Sequence, residues 1–351
     1  MVLDRKSNTS SRKDDHIKIC LEEDITYDKL TTGLDNIKLE PTLLVEISPE
    51  DVNLNTTIVG KKIDFPIIIS SMTGGSEKSK KYNEIIAEVC SELNIGMGVG
   101  SQRAAIENPD LSNTYKVRHL AETIPLFANL GIAQFIKGYG IKEAVAALEM
   151  IEADALFIHL NPLQEFIQKE GDRNLVESRN KILEIIKDFT APIIIKGIGS
   201  GISKQDATFF AKQKIYAIDI SGAGGTNWIK IEIFRNPMYK NLSTKFLNWG
   251  IPTTLSLLNV LEATKNTKIK IIASGGVWSG LDAVKSLLLG ANYVAFALPV
   301  LQAIGRGGID ELRNFLSSYV FEMKTVMAML GIENLEKMEK IRQEIIFRES
   351  K

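Results

Sequence analysis

The chain has 351 residues, enough to bury a large core, and its 44% hydrophobic and 24% charged content is that of an ordinary globular protein. A formal net charge of −1 excludes a broad nucleic-acid-binding surface, which needs a clear excess of Lys and Arg, but leaves room for a local cationic pocket.

In chain order, residues 1–16 (MVLDRKSNTSSRKDDH) lack the apolar stretch of a secretory leader. Residues 1–40 are polar and charged, so an arm that is mobile or ordered by a ligand is expected. Residues 56–65 (TTIVGKKIDF) predict a hairpin that turns at Gly60 and floors the strands after it. Eight short apolar, mostly β-branched runs come next: 65–70 (FPIIIS), 95–99 (IGMGV), 125–130 (PLFANL), 155–160 (ALFIHL), 192–196 (PIIIK), 215–220 (IYAIDI), 269–273 (IKIIA) and 293–298 (YVAFAL). Each stops at glycine or at a hydrogen-bonding side chain. Between them lie helical patterns at 76–93 (Ile85, Ile86, Val89, Cys90 and Leu93 on one face, Ser76 as N-cap), 141–151 and 174–188. Ser203 with Asp206, and Ser279 with Asp282, have capping-box spacing, and Gly290 is placed to end the second of these helices. The long interval 221–268 is expected to hold an extended loop after the sixth strand and then its helix, and residues 310–330 and 335–347 to form terminal helices.

This regular βα alternation predicts an α/β protein, a (β/α)8 TIM barrel, in one domain over residues 1–351. Its parts would be an arm (1–55), the hairpin (56–65), the barrel (65–300) and C-terminal helices (300–351). No run reaches the roughly 18 apolar residues of a membrane helix. Cys20 and Cys90 give neither a disulfide framework nor zinc spacing, so a reducing, cytoplasmic setting is expected.

In a barrel the strand ends form one concave polar face where the chemistry sits. Ser274-Gly275-Gly276 follows the seventh strand, Ala297-Leu298-Pro299 follows the eighth and can begin a helix, and Ser221-Gly222 with Gly224-Gly225-Thr226 follows the sixth. Free backbone N–H groups at such positions bind phosphate, although the same glycines could serve only as tight turns. Ser70 to Gly75 would let a flat ligand approach the backbone, and Ser101, Asn129 and Lys196 add donors. Lys196 interrupts an apolar run, which is costly unless its charge is used. It could face N1 of a flavin, form a buried ion pair, or form a Schiff base. His159 to Glu165 (HLNPLQE) offers an imidazole, two amides and one carboxylate. A single carboxylate suits Mg2+, which keeps several waters; otherwise Glu165 is the first turn of a surface helix and His159 a wall residue. Arg103 could fork onto a diphosphate. Arg12, Lys13 and His16 are, by composition alone, solvated charge. His119 reads as a surface residue and GRGG at 305–308 as a turn, while Trp228 and Trp249 could cover a pocket or simply pack.

Together SSMTGG at 70–75, GSQR at 100–103, HLNPLQE at 159–165, KGIGSG at 196–201, SGAGGT at 221–226 and ASGG at 273–276, with RKDDH at 12–16, resemble type 2 isopentenyl-diphosphate isomerase, the flavin-dependent form. The likeness covers about residues 10–345. It implies a barrel of the FMN-binding type and an FMN- and Mg2+-dependent isomerisation of isopentenyl diphosphate to dimethylallyl diphosphate. The FMN would be reduced by NADPH or NADH without net redox change. By that resemblance Ser71, Met72, Thr73, Ser101, Asn129, Lys196, Ser221, Thr226, Gly275, Gly276, Ala297 and Leu298 hold FMN. Arg12, Lys13, His16, Ser101, Gln102, Arg103, His159, Asn161 and Gln164 meet the substrate, and Glu165 holds the metal. Gln164, Lys196 and His159 are the catalytic candidates. A homo-oligomer, tetramer or octamer, is also implied, with no nucleic-acid or membrane partner. Asp15 stands where Glu is expected beside the arm histidine, and Trp278 where many relatives carry Arg. The main alternative is an FMN-dependent 2-hydroxy-acid oxidase or dehydrogenase, which needs a histidine base late in the barrel; none of the three histidines lies beyond His159. A dehydrogenase of the IMP type would need a loop cysteine, and a flavin-binding barrel without catalysis would not need Gln164, Glu165 and the basic arm together.

Overall fold

The eight apolar runs become eight parallel strands, and a computed structural model describing residues 5–236, 241 and 244–348 closes them into a barrel. The antiparallel hairpin of β2 (Thr56–Ile58) and β3 (Lys61–Ile63) precedes them. The barrel strands are β4 (Ile67–Ile69), β5 (Gly96–Gly98), β6 (Leu126–Gly131), β7 (Ala155–Leu160), β8 (Ile193–Gly197), β9 (Ala217–Asp219), β10 (Lys270–Ser274) and β11 (Tyr293–Phe296). Each pairs in parallel with the next, and β11 closes onto β4 with Phe296 opposite Ile69.

Inside the barrel, Ile68, Phe127, Phe157, Ile194 and Ile272 meet Ile58 and Ile63 of the hairpin, which therefore plugs the amino-terminal end as expected. Val59 and Gly60 both take positive φ, as a two-residue primed hairpin turn requires. The unfavourable conformation of Val59 is held by Tyr216 Oη, which accepts its N–H at 2.8 Å. Lys61 and Arg118 both bond Asp154, tying the plug to the barrel wall.

Helices cover the outside. The helix Glu77–Glu92 is capped by Ser76, whose hydroxyl accepts from Ser79 N. Cys90 is buried in the apolar layer beneath it. Helices Ile141–Ile151, Lys204–Phe210 and Gly280–Leu289 start and stop close to their sequence signals, Ser203 and Ser279 capping the last two. The expected 174–188 helix begins only at Ser178, because the exposed Val176 adds nothing to its buried face. The interval 221–268 ends in the expected helix, Thr253–Thr264, but the loop before it also contains the helix Trp228–Arg235. A helix starts directly after β11, at Leu298, and the run to Met329 is broken by non-helical backbone at Gly307 and Gly308, so the GRGG segment turns the chain between two helical stretches, the second of which is the expected helix over 310–330. The final helix stops at Ile345, where β12 (Ile346–Arg348) pairs antiparallel with β1 (Ile37–Leu39).

The polar arm departs most from expectation. Residues Arg5–Glu22 form helix α1. Ile17 and Cys20, three apart and hence on one face, are buried with Ile25, Ile231, Leu298 and Leu301. A sparse apolar stripe suffices because polar side chains of α1 find partners over the barrel mouth. Among the described residues no helix is long and apolar enough to cross a membrane.

Candidate active site

A cavity opens at the carboxyl ends of the strands. Ser71, Met72, Thr73, Ser101, Asn129, Lys196, Ser221, Thr226, Gly275, Gly276, Ala297 and Leu298 all line it, as do Arg12, Lys13, His16, Arg103, His159, Asn161, Gln164 and Glu165. Trp228 and Trp278 line it too; Trp249 instead lies exposed against Phe246.

Glycine is required where the loops after β9 and β10 meet. A Cβ on Gly275 would lie 2.1 Å from Gly222 O, and one on Gly225 2.2 Å from Gly276 N. Gly275 and Gly276 also hold φ of +95° and +73°, which side-chain-bearing residues avoid. Backbone thus packs on backbone beside the start of the helix at Leu298, where Pro299 has no N–H and Val300 N already donates to Ala297 O at 3.0 Å. After β4, the strand next to β11, Ser71 Oγ is buried without a hydrogen-bond partner. Close glycine backbone after β9 and β10 and an unpartnered hydroxyl after β4 fit a phosphate-bearing planar group such as FMN.

Lys196 does not stand alone. Its Nζ lies 2.9 Å from Asp219 Oδ2 and both side chains are buried, so the ion pair, one of the three uses left open, is formed. Asp219 in turn accepts from Ser274 Oγ, and Ser274 Oγ accepts from Ser221 N at 3.0 Å. His159 Nδ1 is 2.7 Å from Asn129 Oδ1; since a carbonyl oxygen only accepts, Nδ1 carries the proton and Nε2 is the acceptor. Burial, helped by the charges of Lys196 and Lys13, pushes this imidazole down to about 3, so it is neutral at pH 7.

Pro162 opens the helix Pro162–Ile167, and spacing places Asn161, Gln164 and Glu165 together. Asn161 Nδ2 donates to Gln164 Oε1 at 3.2 Å and to Glu165 Oε1 at 3.0 Å. Glu165 Oε2 accepts from Gln168 Nε2 at 2.8 Å and from Asp172 N at 2.7 Å. Glu165 is buried, and not the exposed first turn of a surface helix. Asn161 Oδ1 is buried without a partner. One fixed carboxylate and a free amide oxygen are the hard donors a Mg2+ ion takes alongside water. Among the described residues no group of three His, Cys, Asp or Glu could hold a metal by itself.

Sequence reasoning missed Glu232, in the helix Trp228–Arg235. Its Oε1 is 3.2 Å from His16 Nε2 and accepts from Gln164 Nε2 at 3.2 Å, while its Oε2 accepts from Arg235 Nη1 at 2.7 Å. Burial would raise this carboxyl, but the bond and charge of His16, then the charge of Arg235 and the Gln164 bond, outweigh it and hold it at about 2. The permanent charge of Arg235 secures that direction, because burial also pulls His16 towards its neutral form. No motif marks Glu232; its only signal was an acid inside the apolar WIKIEIFR helix. Gln134 and Gln168, which line the cavity, were missed for the same reason.

Helix α1 closes the mouth. Lys13 Nζ donates to Ser101 O and to Tyr115 Oη, each at 2.9 Å. Ser76 Oγ donates to Asp14 Oδ1 at 2.6 Å, and the His16 ring meets Trp228 edge-on at 5.4 Å. Burial lowers the Arg12 guanidinium, and the like charges of Arg103 and Arg235 lower it further. Arg12 Nε is buried without a partner. The cationic side chains of Arg12 and Lys13, which line the cavity, suit an anion. Arg103 itself is held by Glu107, 2.8 Å from its Nε.

Gln102 corrects an expectation. It is fully buried behind the wall, donating to Ala147 O at 2.7 Å and accepting from Asn129 N at 2.9 Å, and it does not line the cavity. It props Asn129 instead. His119 and Asp15 lie outside the cavity as well.

The FMN-dependent dehydrogenase family model matches residues 5–110 and 125–345. An isopentenyl-diphosphate delta-isomerase of Synechocystis sp. is 45% identical over 296 residues, 84% of either chain. A second, of Nostoc sp., is 39% identical over 336 residues, 95% of either chain. Among solved structures, a doubly substituted flavocytochrome b2 with sulfite bound superposes with a TM-score of 0.68 at 17% identity, covering 99% of this chain and 88% of that one; this likeness shows the fold alone. With a closed eight-stranded barrel and this agreement along its length, the chain belongs to the FMN-dependent dehydrogenase family and, within it, to the type 2 isopentenyl-diphosphate delta-isomerases.

Proposed function

We propose that this protein converts isopentenyl diphosphate to dimethylallyl diphosphate with reduced FMN and Mg2+, drawing the reducing equivalents from NADPH or NADH. The observation that carries the reading is the convergence of Arg12, Lys13, Arg103 and the Asn161–Gln164–Glu165 face over a glycine-built floor. The same reading makes it a cytoplasmic homo-oligomer, tetramer or octamer.

Ser71, Thr73, Asn129, Lys196 and the loops carrying Ser221, Thr226, Gly275 and Gly276 would hold FMN, with its phosphate on backbone amides. When bound and reduced, it would supply an electron-rich plane against which positive charge on carbon is stabilised. Glu165, with Asn161 Oδ1, would hold Mg2+, which neutralises diphosphate charge. Arg12, Lys13 and Arg103 would anchor that diphosphate, fixing the alkene in place. The reaction adds a proton at C4 and removes one from C2, so the site needs a polar group that can face an uncharged alkene. Gln164 meets this need: its amide is locked between Asn161 and the Glu232 carboxylate, which stays ionised and orients it. His159, neutral and with Nε2 free to accept, suits a water or hydroxyl proton better than an anionic oxygen. Held near 3, it is also a poor base for the 2-hydroxy-acid oxidase alternative.

The test is an anaerobic assay with FMN, dithionite, Mg2+ and isopentenyl diphosphate in D2O. Dimethylallyl diphosphate carrying deuterium is expected. A colourless protein that neither takes up FMN nor forms this product refutes the proposal.

A further inference from the structure

Tyr115 does not line the cavity, yet it touches two parts of the site. It lies between β5 and β6, fully buried, just after the short turn Pro109–Thr114. Its Oη accepts from Lys13 Nζ at 2.9 Å and donates to Ser101 O at 2.8 Å, and Lys13 Nζ donates to that same carbonyl at 2.9 Å. Lys13, Tyr115 and Ser101 thus form a closed triangle. Two of the three ammonium donors of Lys13 are spent there, leaving one for a ligand. The ring meanwhile fills the place of a side chain at position 74: a Cβ on Gly74 would lie 1.9 Å from it, and one on Gly75 3.0 Å from the hydroxyl. Thr114, next to it, accepts the N–H of Gly75 at 2.8 Å.

We infer that Tyr115 is a positioning residue: its hydroxyl aims the arm lysine at the anion, and its ring separately props the Gly74–Gly75 loop that follows β4 at the cavity end of the barrel. This rests on the reading that Lys13 contacts the substrate's diphosphate. Burial, with the charge of Arg12, pulls the lysine down to about 7, so a correctly placed acceptor matters for keeping its proton.

Tyr115→Phe separates the two roles, because it removes the hydroxyl and keeps the ring. In the FMN-loaded enzyme, titration with inorganic diphosphate should show affinity weakened about 10- to 100-fold, the effect of one lost hydrogen bond to a charged group. KM for isopentenyl diphosphate should rise in parallel, with kcat and FMN affinity unchanged. Tyr115→Leu, which also removes the ring, should in addition weaken FMN binding. In a Lys13→Met background, Tyr115→Phe should change diphosphate affinity no further. Undiminished diphosphate affinity in Tyr115→Phe, or an equal loss of FMN affinity and kcat there, overturns the inference. If Lys13→Met itself leaves diphosphate binding intact, the reading beneath it fails, a result distinguishable from failure of Tyr115 alone.

Discussion

His159 offers a sharp test of the electrostatics at the barrel mouth. Its imidazole sits near 3 when folded against an ordinary 6.5. The folded state therefore binds the proton less well than the unfolded chain. The contribution to stability is fully present above pH 6.5 and is lost as pH falls from there towards 3. Over that whole range the loss amounts to roughly 5 kcal/mol, and between pH 7 and pH 5 to about 2 kcal/mol. The perturbation is His159→Gln, which keeps an amide near Asn129 and cannot titrate. Denaturant unfolding at pH 7 and pH 5, compared between variant and parent, cancels the carboxylates common to both. The parent should lose about 2 kcal/mol more than the variant over that step. Nitrogen-15 NMR of labelled histidine, with His159 assigned through the variant, reads the same quantity directly. A midpoint near 6 for His159, or equal pH dependence of the two proteins, would refute the assignment of a buried neutral imidazole.

Other outcomes rest on the same geometry. Gly275→Ala would place a Cβ 2.1 Å from Gly222 O at a backbone angle alanine avoids; purified protein should carry little flavin, and full flavin content would contradict the cradle. Gln164→Asn withdraws the amide from Glu232 while leaving the glycine loops untouched, so FMN binding should persist and turnover fall by about 10²-fold or more, as for loss of a proton-relaying group. Unchanged turnover removes Gln164 from the reaction. Glu165→Gln should shift the Mg2+ titration to higher concentration, and an identical titration rules the carboxylate out as a ligand. Asp219→Ala strands the buried Lys196 charge and should cost about 3–5 kcal/mol of stability, measured by denaturant unfolding; a loss below about 1 kcal/mol would mean the pair is not buried as described.

The elements legible in the chain itself were periodic or capped. The strands from Ile67 to Phe296 are short apolar runs between glycines, and Ser76, Ser203 and Ser279 mark helix starts through bonds only a few residues long. The features that escaped depend on contacts between distant positions. Helix α1 has too few apolar residues to announce itself, and forms because Ile17 and Cys20 meet Ile231 and Leu298. Glu232 acquires its role only because the fold brings it to His16, 216 positions away. Gln102 sits in a motif of pocket residues, yet its side chain turns inward, where it satisfies the buried amide of Asn129 on the neighbouring strand β6 and the carbonyl of Ala147. Lys196 was conspicuous, but Asp219, which decides its state, lies on the neighbouring strand.

The arm helix also bears on how the enzyme is made. Its side chains precede the barrel in the chain, yet their docking points run from Ser76, Ser101 and Tyr115 through Glu232 to Leu298 and Leu301. Contacts of such long sequence separation form late, after loop closure has been achieved elsewhere. The nascent protein therefore cannot seat this helix fully until all eight barrel strands have been synthesised, and the mouth of the cavity closes only after that.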